Sequence, residues 1–103
     1  MVDAAREAVG FCSGRVRADL DKDRVLALAL SRLLEIIGEA ARHIPPEFRA
    51  TAPTVPWRDI VGTRDRLIHA YTAVDLDIVW TIVTERLPQL IAGLEKLLPH
   101  ENK

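Results

Sequence analysis

The stretch DKDRVLALALSRLLEIIGEAARH, residues 21–43, sets the fold class of this chain. It is built largely from Leu, Ala, Arg and Glu, which have high intrinsic helix preference, and Pro45-Pro46 closes it from the far side because a residue before proline is pushed out of the helical region. At about 100° per residue, Leu26, Leu30, Leu33, Leu34, Ile37, Ala41 and Ile44 share one face, with Arg32, Glu35 and Glu39 opposite. Val25, Leu28 and Ile36 fall on the charged side, so this helix is apolar nearly all round and calls for partners on two sides. A central place in a bundle is the first expectation, and a subunit interface is the second.

On the N-terminal side, Gly10, Gly14 and the charged run Arg15 to Arg24 set off a short first helix that starts without a recognisable N-cap. Four of the six prolines fall between Pro45 and Pro56, which reads as a loop holding one short helical turn around Glu47, Phe48 and Arg49. Pro56 can open the next helix, from Trp57 to about Tyr71, because its missing N–H is one that the first turn leaves unpaired. Asp75 is a natural cap for a last helix from Leu76 to about Leu98, with a kink expected at Pro88. There are no strand-like alternations or internal repeats. The expected class is all-α, an up-and-down bundle of four to five helices forming one domain over residues 1–103.

Composition narrows function by exclusion. With 14 Lys plus Arg against 15 Asp plus Glu, no strong overall field draws the chain to nucleic acid or an anionic membrane, so any RNA or DNA contact must be local. Arg15, Arg17, Lys22 and Arg24 are interleaved with Asp19, Asp21 and Asp23, which makes that run a solvated face rather than an RNA track. The single cysteine, Cys12, offers neither a disulfide nor a soft metal site. No window approaches the ~20 apolar residues of a membrane span, and the expected location is the cytoplasm. A 103-residue core is modest, and dimerisation would add to its stability.

The third long helix carries the unusual residues. On its wheel, Trp57, Ile60, Val61, Leu67 and Ile68 form an apolar stripe in which Arg64 is central, and Tyr71 lies within about 20° of the same line. Asp65 and His69, four residues apart, form a second row at the border of the stripe. A guanidinium in a core-like position must find a carboxylate or face a shared, wet cleft. One reading is an internal ion pair of Arg64 with Asp65, Glu35 or Glu39, with His69 as a hydrogen-bonded core histidine and Tyr71 as a bundle aromatic. The other is phosphoryl chemistry, for which imidazole moves protons near neutral pH and a fork of donors matches a phosphate. Residues five apart point about 140° away from each other, so two copies across a two-fold axis would be needed to surround one phosphorus with both groups.

Residues 64–71, RDRLIHAY, read R-x-x-x-x-H-x-Y, and the chain here resembles the HEPN superfamily and, more narrowly, the HepT-like toxins that pair with a MntA-like minimal nucleotidyltransferase antitoxin. LEIIGEAA at 34–41, VPWRDIVG at 55–62 and VDLDIVW at 74–80 resemble the same family, so the likeness spans about residues 20–98. It implies a toxin of a toxin-antitoxin system, a metal-independent endoribonuclease without cofactor that acts on RNA at a homodimer interface. Arg64 and His69 match the catalytic positions; Asp65 matches the supporting polar position, more often Asn in relatives. Tyr71 matches the acceptor of AMP from the partner. Arg58 and Arg66, flanking the motif, are candidates for RNA backbone contacts. The competing expectation is a non-catalytic HEPN-like module that binds a partner or nucleotide through Arg64 without cleaving anything.

Overall fold

The computed structural model describes residues 1–69 and 76–96, the side chains of residues 64–69 excepted. Every element within them is helical: α1 Val2–Cys12, α2 Asp19–Lys22, α3 Arg24–Arg42, α4 Pro46–Arg49, α5 Trp57–His69, α6 Leu76–Thr81, a π-helical turn Ile82–Arg86, and α7 Leu87–Glu95. Four long arms, α1, α3, α5 and the composite of α6, the π turn and α7, build the expected bundle, with α2 and α4 as one-turn links.

The long apolar helix starts later than residue 21. Asp23 is its N-cap, its carboxylate accepting from the Leu26 backbone N–H at 3.0 Å, and the preceding charged residues fold into the separate turn α2. As expected, α1 begins without a side-chain cap; it runs through Gly10 to Cys12 and leads into a turn in which Gly14 takes φ 76°, a left-handed conformation that glycine adopts freely.

The core lies where α3 meets α1, α5 and the last arm. Leu30, Leu34, Ile37 and Ala41 of α3 are buried with Ala5 and Ala8 of α1, Ile60 of α5, and Val79, Val83, Leu87 and Leu90. Arg6 of α1 pairs with Glu95 of α7, closing one seam at the surface. The charged run is indeed neutralised locally: Arg15 sits 3.8 Å from Asp23, and Arg17 reaches Asp21 at 3.2 Å and Asp77 at 2.6 Å.

One expectation is corrected by the packing. Val25, Leu28 and Ile36 are 77%, 53% and 40% exposed, so α3 is covered on one side and its second apolar face has no cover among the described residues. A helical wheel places apolar residues around an axis, but it cannot show how many neighbours the bundle will supply. Pro88, the expected kink site of the last helix, is the second residue of α7, the element that follows the π turn. Its ring crowds the carbonyl four residues back, at Thr84, and the wider turn is where that residue sits. The expected helix ends at Tyr71 and Leu98, and the Asp75 cap, lie outside the described residues.

Packing around Gly93 and Cys12 can be tested directly. A Cβ at Gly93 would stand 2.5 Å from Val55 Cγ2 and 3.3 Å from Thr54 Oγ1, so Gly93→Ala should lower stability by about 1–3 kcal/mol in urea unfolding, despite its higher helix preference. Burial pushes the Cys12 thiol up, with Arg15 pulling it partly back. The share of stability tied to that thiol is therefore present below the ordinary thiol range and lost as pH rises through the folded-state value. Alkylation of Cys12 at neutral pH should be far slower in the native protein than in urea, and mass spectrometry of iodoacetamide-treated samples reads this directly.

Candidate nucleic-acid site on the third long helix

The site is built on α5, and α5 is fixed at its start by the proline-rich loop. Pro56 provides the cap position, its carbonyl accepting from the Ile60 N–H at 3.1 Å, and α5 starts at Trp57 as the sequence pattern suggested. The Trp57 indole is buried and donates through Nε1 to the Ala52 carbonyl at 3.1 Å. The Arg49 guanidinium lies 5.8 Å from the centroid of that ring. The same guanidinium donates to the Ala41 carbonyl at 2.9 Å, the Ile44 carbonyl at 3.1 Å and the Arg42 carbonyl at 3.5 Å, groups at and just beyond the end of α3, of which the Ala41 carbonyl also accepts from the Ile44 backbone N–H at 3.1 Å. One side chain thus caps α3 and makes a cation–π contact with the first residue of α5.

From there Trp57, Ile60 and Thr63 are buried, with the Thr63 hydroxyl donating to the Asp59 carbonyl at 2.7 Å, while Arg58 is exposed. Carrying the helical register onward at about 100° per residue, position 64 falls near the line of Trp57. Positions 65 and 69 fall near the line of exposed Arg58, and position 66 falls near that of Asp59. The backbone therefore brings Arg58, Arg64, Asp65, Arg66 and His69 onto one continuous helix in the expected order, with 64 and 69 about 140° apart. Tyr71 lies outside the described residues, and the side chains of the motif are not described. Of the carboxylates expected as partners for Arg64, Glu35 meets Arg32 at 3.4 Å and Glu39 lies 3.6 Å from His43.

The structure adds a feature that sequence reasoning missed. Arg86, at the end of the π turn, places Nε 3.3 Å from Asp59 Oδ2 on α5, across a cleft of about 240 Å³ also lined by Asp77, Ile78, Thr81 and Ile82. No local signal announced this pair, because its members are far apart in sequence and the register that joins them passes through the π turn. Trp80 is half-buried against the core. His43 ends α3 with Nδ1 2.9 Å from the Glu39 carbonyl, the helix-end role common for histidine. Among the described residues no group of three His, Cys, Asp or Glu is placed to hold a metal ion, and no helix is long and apolar enough to cross a membrane.

An all-helical bundle carrying R-x-x-x-x-H on a helix packed against its longest neighbour has the layout of a HEPN-like protein. Comparison with known proteins agrees: a family model described as ribonuclease HepT-like matches residues 1–97. A protein of Caldanaerobacter subterraneus subsp. tengcongensis named as an RNase is 43% identical over 83 residues, 81% of this chain and 74% of the relative. A protein of Thermococcus cleftensis named as a ribonuclease HepT is 45% identical over 75 residues, 73% of this chain and 68% of its own. A Methanocaldococcus jannaschii protein named as an RNase is 36% identical over 95 residues, 92% of this chain and 87% of its own. No solved structure matches. The chain belongs to the HepT-like ribonuclease family and is, by class, an RNA-cleaving enzyme.

The Arg49 contacts should be felt as stability. Arg49→Ala should cost about 1–3 kcal/mol in urea unfolding, and Arg49→Lys should recover little of it, since one ammonium lacks the fork of donors that serves several carbonyls beside the Trp57 ring.

Proposed function

We propose that this chain is the toxin of a toxin-antitoxin system, a metal-independent endoribonuclease that works as a homodimer and is silenced by AMP transfer to Tyr71. The observation that carries the reading is the R-x-x-x-x-H-x-Y string, running from α5 to Tyr71 in a chain matched over nearly its whole length by the HepT-like family. The exposed Val25, Leu28 and Ile36 on α3 support the dimer, because an apolar face left open in the single chain is what a second copy would cover.

In this reading His69 takes the proton from a ribose 2′-hydroxyl, or gives one to the leaving 5′-oxygen, and Arg64 stabilises the charge that builds on the phosphorane. The 2′-oxygen to phosphorus bond forms, the phosphorus to 5′-oxygen bond breaks, and the product is a 2′,3′-cyclic phosphate. Two copies bring the groups that one helix points apart into a single cleft. Asp65 orients His69 or Arg64, and Arg58 and Arg66 hold the RNA backbone. The partner is a MntA-like minimal nucleotidyltransferase, working in the cytoplasm, which moves AMP from a nucleoside triphosphate to the Tyr71 hydroxyl with loss of pyrophosphate. The added phosphate, two residues from His69, repels RNA and fills the cleft.

Three measurements check this. Cleavage of total RNA should survive EDTA and fall by at least about a hundredfold in His69→Ala, with the helical circular dichroism kept; full activity in that variant would remove the assignment, and binding without cleavage by the native chain would favour a non-catalytic module. Leu28→Glu with Ile36→Glu should shift the protein to monomer in analytical ultracentrifugation and abolish cleavage together. Co-expression with a MntA-like minimal nucleotidyltransferase should add AMP mass to the native chain and none to Tyr71→Phe.

A further inference from the structure

We propose that the cleft between α5, α6 and the π turn is a nucleobase subsite, and that the base it takes is guanine. Its purpose rests on the ribonuclease reading, and its chemistry rests on the cleft itself. At about 240 Å³ the cleft has room for a heterocycle, and one of its walls is the helix that carries the motif.

Its charges are matched. Arg86 engages Asp59 at 3.3 Å, and Arg17 engages Asp77 at 2.6 Å. A phosphate entering here would meet two carboxylates whose cationic neighbours are already engaged, and an ammonium would meet two guanidiniums. A flat, neutral ligand rich in donors and acceptors meets neither penalty. Ile78 and Ile82 supply apolar walls for such a ring, and Thr81 contributes a hydroxyl. Arg86 supplies a planar cation that can lie against a base or donate to its edge.

Among the bases, guanine fits this set best. Its N1–H and N2–H stand side by side and can both donate to one carboxylate, while O6 and N7 accept from a guanidinium, so guanine can take the place of the direct Arg86–Asp59 contact and leave each group with a partner. Adenine presents an amino group beside an acceptor, cytosine does the same, and uracil has one N–H between two carbonyls. The π turn contributes the geometry. An added residue in a turn rotates the downstream side chains by about 100° relative to a regular helix, and it is in this register that Arg86 faces Asp59. π turns inside α-helices recur at functional sites for this reason.

The test uses the purified full chain, native and as His69→Ala, with GMP, AMP, CMP and UMP as probes in NMR titrations that track the Ile78, Thr81 and Ile82 amides and the Arg86 Nε–H. GMP should bind at least about tenfold tighter than the other three and shift these signals. Asp59→Asn and Thr81→Val should each bring the preference below about threefold. Asp59→Asn also disturbs the ion pair with Arg86, so Thr81→Val, which keeps that pair, is the second check. Equal affinity for all four nucleotides, displacement of GMP from the cleft by spermidine, or a guanine preference that survives both substitutions would overturn the proposal. Mapped ends of cleaved total RNA should show guanine enriched at one fixed position beside the cut, and a flat base profile would count against the subsite. Guanine-selective binding in a chain that cuts no RNA would uphold the subsite and remove the ribonuclease mechanism. Cutting without nucleotide selectivity would do the reverse.

Discussion

The relation between α3 and α5 depends on one guanidinium. Arg49 sits on the short turn α4, between the two helices in sequence, and fills the space between the end of the first and the beginning of the second. A helix end leaves several carbonyls without partners, and a buried helix start needs an anchor. A planar group with several donors and two flat faces meets both needs at once. Because Trp57 is the first residue of α5 and is also tied to the Ala52 carbonyl, the angular setting of the whole motif helix is established there. A register error of one residue at that point would rotate positions 64 and 69 by about 100°.

A second determinant is the uneven covering of α3. One of its faces is packed into the bundle core, and the other keeps Val25, Leu28 and Ile36 in water. In a chain of this size there are too few helices to surround a central one. Modest length therefore bears on more than the stability of a single subunit.

Much of the fold was readable because it is local. The run from Val25 to Ile44 identifies its helix through helix formers and period, the proline cluster identifies the loop with its single turn, and Pro56 beside Trp57 identifies the start of α5. The motif was readable as residue types at a spacing, and the backbone carries residues 64–69 on one helix as expected. Contacts between distant segments could not be read. Arg49 was readable only as part of a short helical turn, and nothing in the pattern around Arg86 set it apart. Their partners at Ala41, Trp57 and Asp59 are identified by packing, and no pattern within a few residues encodes it.

The helical class, the approximate place of each long helix, and the order of Arg64, Asp65, His69 and Tyr71 are written in the residues alone, because helix preference and periodicity act over a few positions. Which face of α3 is covered, how α5 is anchored, and that a π turn joins Arg86 to Asp59 across a cleft emerge only when the chain is packed. The difference lies in the range of the interactions. Backbone preference is spent within one turn, whereas burial and ion pairing depend on which segments, tens of residues apart, reach the same volume.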